Sequence, residues 1–533
     1  MINPLDIPEI GFAICQQCSR RSLCRLALVS KYWHAVSDFL LWESIPGLVC
    51  LLSLMPEDAW EVNNVRSPGG LFFQFKRVFR FRRPLTPKDW EPVLRRSLAV
   101  RVLDQTALGR RRVVYTQDAI DVIAACPPHG KLCPELRRLD IRASGLFSTN
   151  SSSHLASVLI SPTMTSFTLS LDAGCSVPAD CSALAQACPR LRTLVIRERV
   201  GDPKYINAII NAFHRHPTLD RVTLHASGPS DALEVVAGLP SLTTLEVQSL
   251  TRVVPVLNMP HPTRLFTALT SLTLEGCTFA IVCAMMCAWD WRPIRVLVLE
   301  AVVYESAWDF RILMQHIRAH CDPSALTNLT IHGHNPDEVD VWPLTIRDLA
   351  PLPRLPNLVQ SFVTVPYSDV LSDSDWGEIV ARFPSIQAFR LQTEDLDDNV
   401  ARVSTLESLL HFANGCPRLQ FLCLPIARVI APPDYALRLQ SPQQSLAVLD
   451  IMWGITIEDA DDAVNFLNSA FSGLGTVVCA THRSTADGHG FEEQDDADEP
   501  WARLKRGVED NFEKRRTSLR TDISDTTQEI RHK

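Results

Sequence analysis

Cys133-Pro-Glu-Leu-Arg-Arg-Leu-Asp-Ile141, Cys188-Pro-Arg-Leu-Arg-Thr-Leu-Val-Ile196 and Cys416-Pro-Arg-Leu-Gln-Phe-Leu-Cys-Leu424 are three settings of one phrase. Each carries Leu-x-x-Leu-x-Leu, or a close variant with Ile. In a strand, alternate side chains face the same side, so the last two apolar positions point one way. A short strand cannot bury that face alone. A cadence that returns every few dozen residues therefore marks a stacked array, each unit finding neighbours above and below.

Looser copies fill the gaps. They are Leu219-x-x-Val222-x-Leu224, Leu242-x-x-Leu245-x-Val247, Leu269-x-x-Leu272-x-Leu274, Ile294-x-x-Leu297-x-Leu299, Leu326-x-x-Leu329-x-Ile331, Ile386-x-x-Phe389-x-Leu391 and Leu446-x-x-Leu449-x-Ile451. Met164-x-x-Phe167-x-Leu169 is degenerate, and the stretch at Leu358 has Phe362 one place out of register. That makes about twelve units, with spacings from 23 residues (Leu219 to Leu242) to 33 (Ile386 to Leu419). The period is that of leucine-rich repeats at or above the upper end of their range. It leaves room for an outer helix, for example around Asp231–Ala237 or Ser404–Phe412. The fold class expected is α/β: a solenoid with parallel strands inside and helices outside, over residues 131–480. Twelve strands would span roughly 55 Å.

With the leucines turned inward, the alternate residues line the concave face. They include Arg138, Asp140 and Arg142, then Arg197, Arg221 and His225, then Glu246, Glu275 and Glu300, and finally Arg390, Phe421, Asp450 and Met452. The face reads basic, Thr-rich, acidic, then partly apolar. It is the expected substrate surface, with Phe421 and Met452 as its anchor, since aromatic anchors carry most interface energy.

The formal net charge of −8 gives no bulk case for nucleic-acid binding. Met1–Glu9 shows no signal peptide, and the longest apolar runs are shorter than the ~20 residues a bilayer requires. The 16 cysteines are therefore expected to be reduced thiols in the cytoplasm, the nucleus or both. No Gly-rich phosphate loop, Gly-x-Ser-x-Gly elbow or His-Glu-x-x-His occurs, so no enzyme and no cofactor are expected. Cys15-x-x-Cys18 with Cys24 and His34, and the loose group His316, His320, Cys321, His332 and His334, read as packing thiols and surface histidines, with no metal expected. The cysteines of Cys133-Pro, Cys188-Pro and Cys416-Pro recur at one repeat position. That periodicity points to packing, because a catalytic cysteine would be unique.

Residues 1–46 are different in kind. IPEIGFAICQQCSRRSLCRLALVSKYWHAVSDFLLW, from Ile7 to Trp42, reads as three short helices. Pro8-Glu9 opens the first. Ser22 is placed to cap a second, with Leu23, Leu26, Ala27, Ser30 and Trp33 on one stripe. So small a block makes a weak core of its own and wants a partner. It resembles an F-box. Glu9-Ile10, Leu23, Leu26-Ala27-Leu28-Val29-Ser30-Lys31-Tyr32-Trp33 and Leu41-Trp42 carry the likeness, while Gly11 and Cys18 stand where that pattern has Leu. An F-box before leucine-rich repeats resembles the fungal substrate receptors of SCF-type ubiquitin ligases. The resemblance implies that Pro8, Ile10, Leu23, Leu26, Val29, Trp33, Leu41 and Trp42 face a Skp-family adaptor. That adaptor would link the chain to a cullin-RING ligase, while the repeats hold a protein substrate. The alternatives are a scaffold whose F-box works without a cullin, and an RNA-binding repeat protein.

Residues 47–130 form the junction and N-terminal cap. There Phe72–Arg83 interleaves aromatic and basic residues, followed by Arg110–Arg112. Such interleaving suits phosphates and bases, yet it equally suits a junction that packs its rings and solvates its arginines, which is the reading preferred. Neither nucleic acid nor membrane is an expected partner. Residues 481–533 are charged, with transient helix the most structure expected, and are read as a disordered tail.

Overall fold

Helix breakers and caps set the N-terminal architecture. In the computed structural model, α1 (Pro8–Gln16) starts on Pro8, with Glu9 in its first turn. The model describes residues 7–66, 75–105, 113–125, 130–142, 158–171, 181–198, 203–214, 216–225, 230–248, 265–287, 289, 291–303, 307–334, 345–365, 371–393, 404–426, 428–452, 456–480 and 499–531. α2 (Arg20–Leu26) is capped by Ser19, whose hydroxyl accepts from the Ser22 N–H. The cap is therefore not Ser22 itself. Ser30 likewise accepts from the Trp33 N–H and starts α3 (Lys31–Glu43). The stripe from Leu23 to Trp33 thus belongs to two helices, because a capping serine takes extended backbone and ends the first. α3 packs on both α1 and α2. Gly11, one departure from the F-box pattern, has a local reason: a Cβ there would collide with the Tyr32 hydroxyl. That hydroxyl donates to the Ile7 carbonyl at 3.1 Å.

The chain divides into two compact units, Met1–Ser249 with Arg264–Ala268, and Leu250–Thr263 with Leu269–Lys533. In the first, Ser44–Ile45 follows α3 directly and pairs in parallel with Val102–Asp104. Parallel strands then continue through Arg138–Arg142, Ser166–Leu171, Thr193–Glu198, Arg221–His225 and Thr244–Gln248. In the second unit the strands run Ser271–Glu275, Val296–Val303, Asn328–His334, Gln360–Val365, Ala388–Thr393, Phe421–Pro425, Val448–Met452 and Thr476–Ala480, again all parallel. This is a leucine-rich-repeat-type solenoid. Outer helices lie where the spacing leaves room, at Ser230–Ala237 and Glu407–Gly415 among others.

One backbone device recurs from strand to strand within each compact unit. The carbonyl just before a strand accepts two N–H groups from the next unit: Arg137 takes Thr165 and Ser166, Thr165 takes Arg192 and Thr193, and Val359 takes Gln387 and Ala388. Every unit is thereby keyed to its neighbour at a fixed offset. The Cys-Pro phrase is the turn that sets this offset up. The carbonyls of Cys133, Cys188 and Cys416 accept from the N–H three residues on, with Pro at the second turn position. The same turn occurs at Leu355-Pro and Phe383-Pro, so the cysteine is a packing choice. All three thiols are fully buried, and burial pushes each up to about 12. They pack as small apolar groups, and burial disfavours their thiolate form.

The strand after Leu358 keeps the backbone register of the array, and Phe362 stands one place off the inward position, as the sequence reads. Leu329 pairs with Ser361 and Ile331 with Val363, so Ser361 takes the inward place of a leucine and Phe362 faces the other way. A cavity of about 30 Å³ lined by Ser361, Leu329, Trp376 and Phe389 marks the missing bulk. Two further strands escape the sequence pattern. Val100-x-x-Leu103-x-Gln105 ends on a polar residue, and Leu474-x-x-Val477-x-Cys479 substitutes small ones.

The expectation of a disordered tail fails over Glu499–Arg531, which forms a helix packed on Ala460–Ala470 and Thr476–Ala480. Residues 481–498 lie outside the described residues. Leu504 and Val508 are fully buried, and Arg515 donates to the carbonyls of Ser472 (2.9 Å) and Asn468 (2.8 Å). Exposed ends of a repeat array need a cap. Here Trp501, Leu504, Val508 and Phe512 fall at helical spacing within a charged run and supply one apolar stripe.

Candidate functional site

The helical module presents an apolar ridge. Ile7, Ile10 and Ile14 on or beside α1 are each 37–38% exposed, Leu28 is 87%, Val29 67% and Phe39 47%. Six large apolar side chains left in water on so small a module are a surface that a partner would cover. Of the residues singled out from sequence, Pro8, Ile10 and Val29 lie on this surface. Leu23 is buried in the module's own core, and Leu26, Trp33 and Leu41 are half-buried. Trp33 meets Tyr32 edge-on at 5.4 Å. Trp42 serves the junction: its Nε1 donates to Asp38 at 3.1 Å, and the Arg96 guanidinium, which also pairs with Asp38, lies 5.5 Å from its ring. Leu28 and Phe39 were not among the residues singled out, because a sequence pattern does not tell an exposed apolar side chain from a buried one.

The basic junction is spent internally. Phe79 is fully buried between Trp60, Phe81 and Tyr115, with ring centroids 5.2–6.0 Å away. Glu61 pairs with Arg80 and Arg82, while Arg83 pairs with Asp58 and with the buried Asp89. Those contacts hold the Asp89 carboxyl well below the usual carboxylate range. Charges neutralised in place offer little to a phosphate backbone. Phe72, Phe73 and Arg110–Arg112 lie outside the described residues.

On the concave side of the first unit, strand register puts Arg138, Ser166, Thr193, Arg221 and Thr244 in one row, and Asp140, Thr168, Val195, Thr223 and Glu246 in the next. Arg138, Arg197 and Arg221 are exposed. Glu246 sits among Thr223 (3.4 Å), Gln248 (3.5 Å) and His225 (3.8 Å), a small acidic focus beside the row of Arg138 and Arg221. The side chain of Arg142 lies outside the described residues.

In the second unit Glu275 and Glu300 are adjacent in register. Like charges on neighbouring strands repel, and a basic group between them would relieve the repulsion. Further along, Phe362, Arg390, Cys423 and Asp450 share a row, flanked by Phe421. Phe362 and Phe421 meet edge-on at 6.5 Å. The Arg390 guanidinium lies 5.5 Å from the Phe421 ring and 3.9 Å from Asp450 Oδ2. Arg390 Nε and Asp450 Oδ1 have no hydrogen-bond partner among the described residues. Burial pushes the Asp450 carboxyl up and the Cys423 thiol up to about 12. This is an aromatic floor with a loosely paired arginine, able to take an apolar side chain and an acceptor together. Phe362 joins it because it stands one place off the inward position and so faces the concave side. The side chain of Met452, the other expected anchor, lies outside the described residues.

The histidine group divides: His316 and His320 stay together on one outer helix, away from His332. His332 bonds Thr364 Oγ1 at 2.9 Å on the concave side, and Cys321 is buried. Cys15 is buried, 3.7 Å from Ser37 Oγ. No helix among the described residues is long and apolar enough to cross a membrane.

A family model described as F-box-like matches residues 8–45, which covers the three helices and all of the ridge except Ile7. The chain thus carries an F-box-like domain at its N-terminal end. No curated protein matches the chain in sequence. Among solved structures, the yeast Rad7 and Elc1 complex is similar at 13% identity over 67% of this chain and 80% of that chain, with a TM-score of 0.33. A leucine-rich-repeat protein of Leptospira interrogans is similar at 13% identity over 64% and 91%, with a TM-score of 0.30.

Proposed function

We propose that this chain is the substrate-recognition adaptor of an SCF-type ubiquitin ligase. Its F-box-like domain binds a Skp-family adaptor, and its repeats hold a protein substrate. The observation that carries the reading is the exposed ridge Ile7, Ile10, Ile14, Leu28, Val29 and Phe39 on an F-box-like domain. The chain does no chemistry of its own. It acts by proximity, holding a substrate beside a charged conjugating enzyme and so raising effective concentration. The two glutamates in register, the arginine row and the Phe362–Arg390–Phe421 cluster support multi-point recognition of a polypeptide with one apolar anchor.

The test is capture of Skp and cullin by the tagged full chain, compared with Leu28→Asp/Val29→Asp. Both side chains are largely exposed, so folding is retained while a charge enters the ridge. Loss of both partners with an unchanged melting temperature supports the reading. Capture of Skp without cullin would favour a cullin-independent scaffold. Undiminished capture by the double variant would remove the ridge from the argument.

A further inference from the structure

We propose that Cys287, His316 and His320 form a binding site for one zinc-class divalent ion on the outer, helical side of the second unit. Cys287 is the last residue of the helix Phe279–Cys287. His316 and His320 lie one turn apart near the end of the neighbouring helix Ala307–His320, which packs against it. The i, i+4 spacing puts both imidazoles on one face. Their rings are 5.5 Å apart and within 15° of parallel. One ligand atom from each of the three residues lies within 4.8 Å of the other two.

The distances suit a metal. A tetrahedral zinc with Zn–S of about 2.3 Å and Zn–N of about 2.05 Å separates sulfur from nitrogen by about 3.6 Å and two nitrogens by about 3.3 Å. Cys287 Sγ and His316 Nδ1 are 3.6 Å apart. The remaining pairs need to close by no more than about 1.5 Å, within the range of a side-chain rotation of His320 at a helix end. One soft thiolate with two imidazoles selects zinc, cobalt or copper over the hard, oxygen-seeking cations. Binding releases the thiol proton to solvent and leaves both histidines neutral. Three protein ligands leave the fourth position open, so the ion would carry a water or accept a donor from a partner. The site also has a structural consequence. It would clip two adjacent outer helices together, adding a cross-link between repeats whose other contacts are packing and sheet hydrogen bonds. It does not rest on the ligase reading and involves neither the ridge nor the concave face.

Cobalt is the probe. The chelator-treated, reduced full chain would be titrated with Co²⁺ and followed by absorption. The expected result is one equivalent with a thiolate-to-cobalt charge-transfer band and tetrahedral visible bands. Cys287→Ser should abolish the charge-transfer band, and His320→Ala should weaken binding by about tenfold or more. Cys18→Ser, outside the trio, should leave the band intact. Cys287 is exposed, so its replacement is compatible with folding, and unchanged circular dichroism would verify this. Zn²⁺ should raise the melting temperature of the parent chain and not that of His316→Gln. Absence of any charge-transfer band means that the trio is only a thiol–imidazole hydrogen bond, which overturns the proposal. A band that survives Cys287→Ser assigns the thiolate elsewhere and overturns it equally.

Discussion

Replacing Leu504 by Ala tests whether the C-terminal helix caps the array or merely accompanies it. Leu504 and Val508 are fully buried against the last outer helix and strand. Each such side chain contributes about 1.5–3 kcal/mol on burial, so the pair supplies about 3–6 kcal/mol of docking. Truncating a buried leucine to alanine costs about 2–5 kcal/mol, which removes most of it. In a helix that was not docked the same change would be neutral or slightly favourable, since Ala has the highest intrinsic helix propensity. The sign of the effect therefore decides. At about 3 kcal/mol the undocked population rises by about a hundredfold. Amide hydrogen exchange should report this as faster exchange in Ala460–Ala470 and Thr476–Ala480. Arg138–Arg142 should be unaffected, because each repeat contacts only its neighbours. Exchange unchanged at Ala460–Ala470, or accelerated uniformly along the chain, would refute the capping role. Arg506→Ala, on the exposed side of the same helix, is the control expected to do nothing.

Three further outcomes follow from the repeats. Phe421→Ala and Arg221→Glu should each weaken capture of a substrate, Phe421→Ala by more than about tenfold as an interface anchor; full retention by both variants in a pull-down would end the idea of a multi-zone face. Asp450 has its folded pKa raised, chiefly by burial, so its ionisation opposes folding and the opposition is felt as pH rises through that pKa. Asp450→Asn should therefore raise the melting temperature at neutral pH, with the gain vanishing in acid, and a gain that persists at low pH would contradict the assignment. Ser361→Val should fill part of the 30 Å³ cavity and stabilise by about 1 kcal/mol in denaturant unfolding. A loss instead would mean that a water bridging Ser361 and Trp376 Nε1 already fills it, since that indole N–H has no partner among the described residues.

The sequence by itself determined the solenoid, because its cause is local and periodic. Leu-x-x-Leu-x-Leu, preceded by a Pro-bearing turn, dictates a strand and its facing whatever the rest of the chain does. It also determined the helical module, through Pro8 and the Val29-Ser-Lys-x-Trp33 segment, though not that Ser30 divides the second helix from the third. Where a residue broke the cadence, only the tertiary structure decided. Ser361 sits where Leu belongs because Val359 is keyed on both sides, its N–H donating to the Thr327 carbonyl and its carbonyl accepting from Gln387 and Ala388, and this backbone register outweighs the preference of Phe362 for the core. The ridge required three dimensions for the same reason. Leu23 and Leu28 are alike in type, and only the packing of α3 on α1 and α2 buries one and leaves the other in water. The charged C-terminal segment hid its four-residue apolar stripe among polar neighbours, and the stripe acquires meaning only against the exposed end of an array. The trio joins Cys287 to two histidines that lie 29 and 33 positions further along the sequence. It exists because stacking brings successive outer helices side by side, a neighbour relation that no linear spacing records.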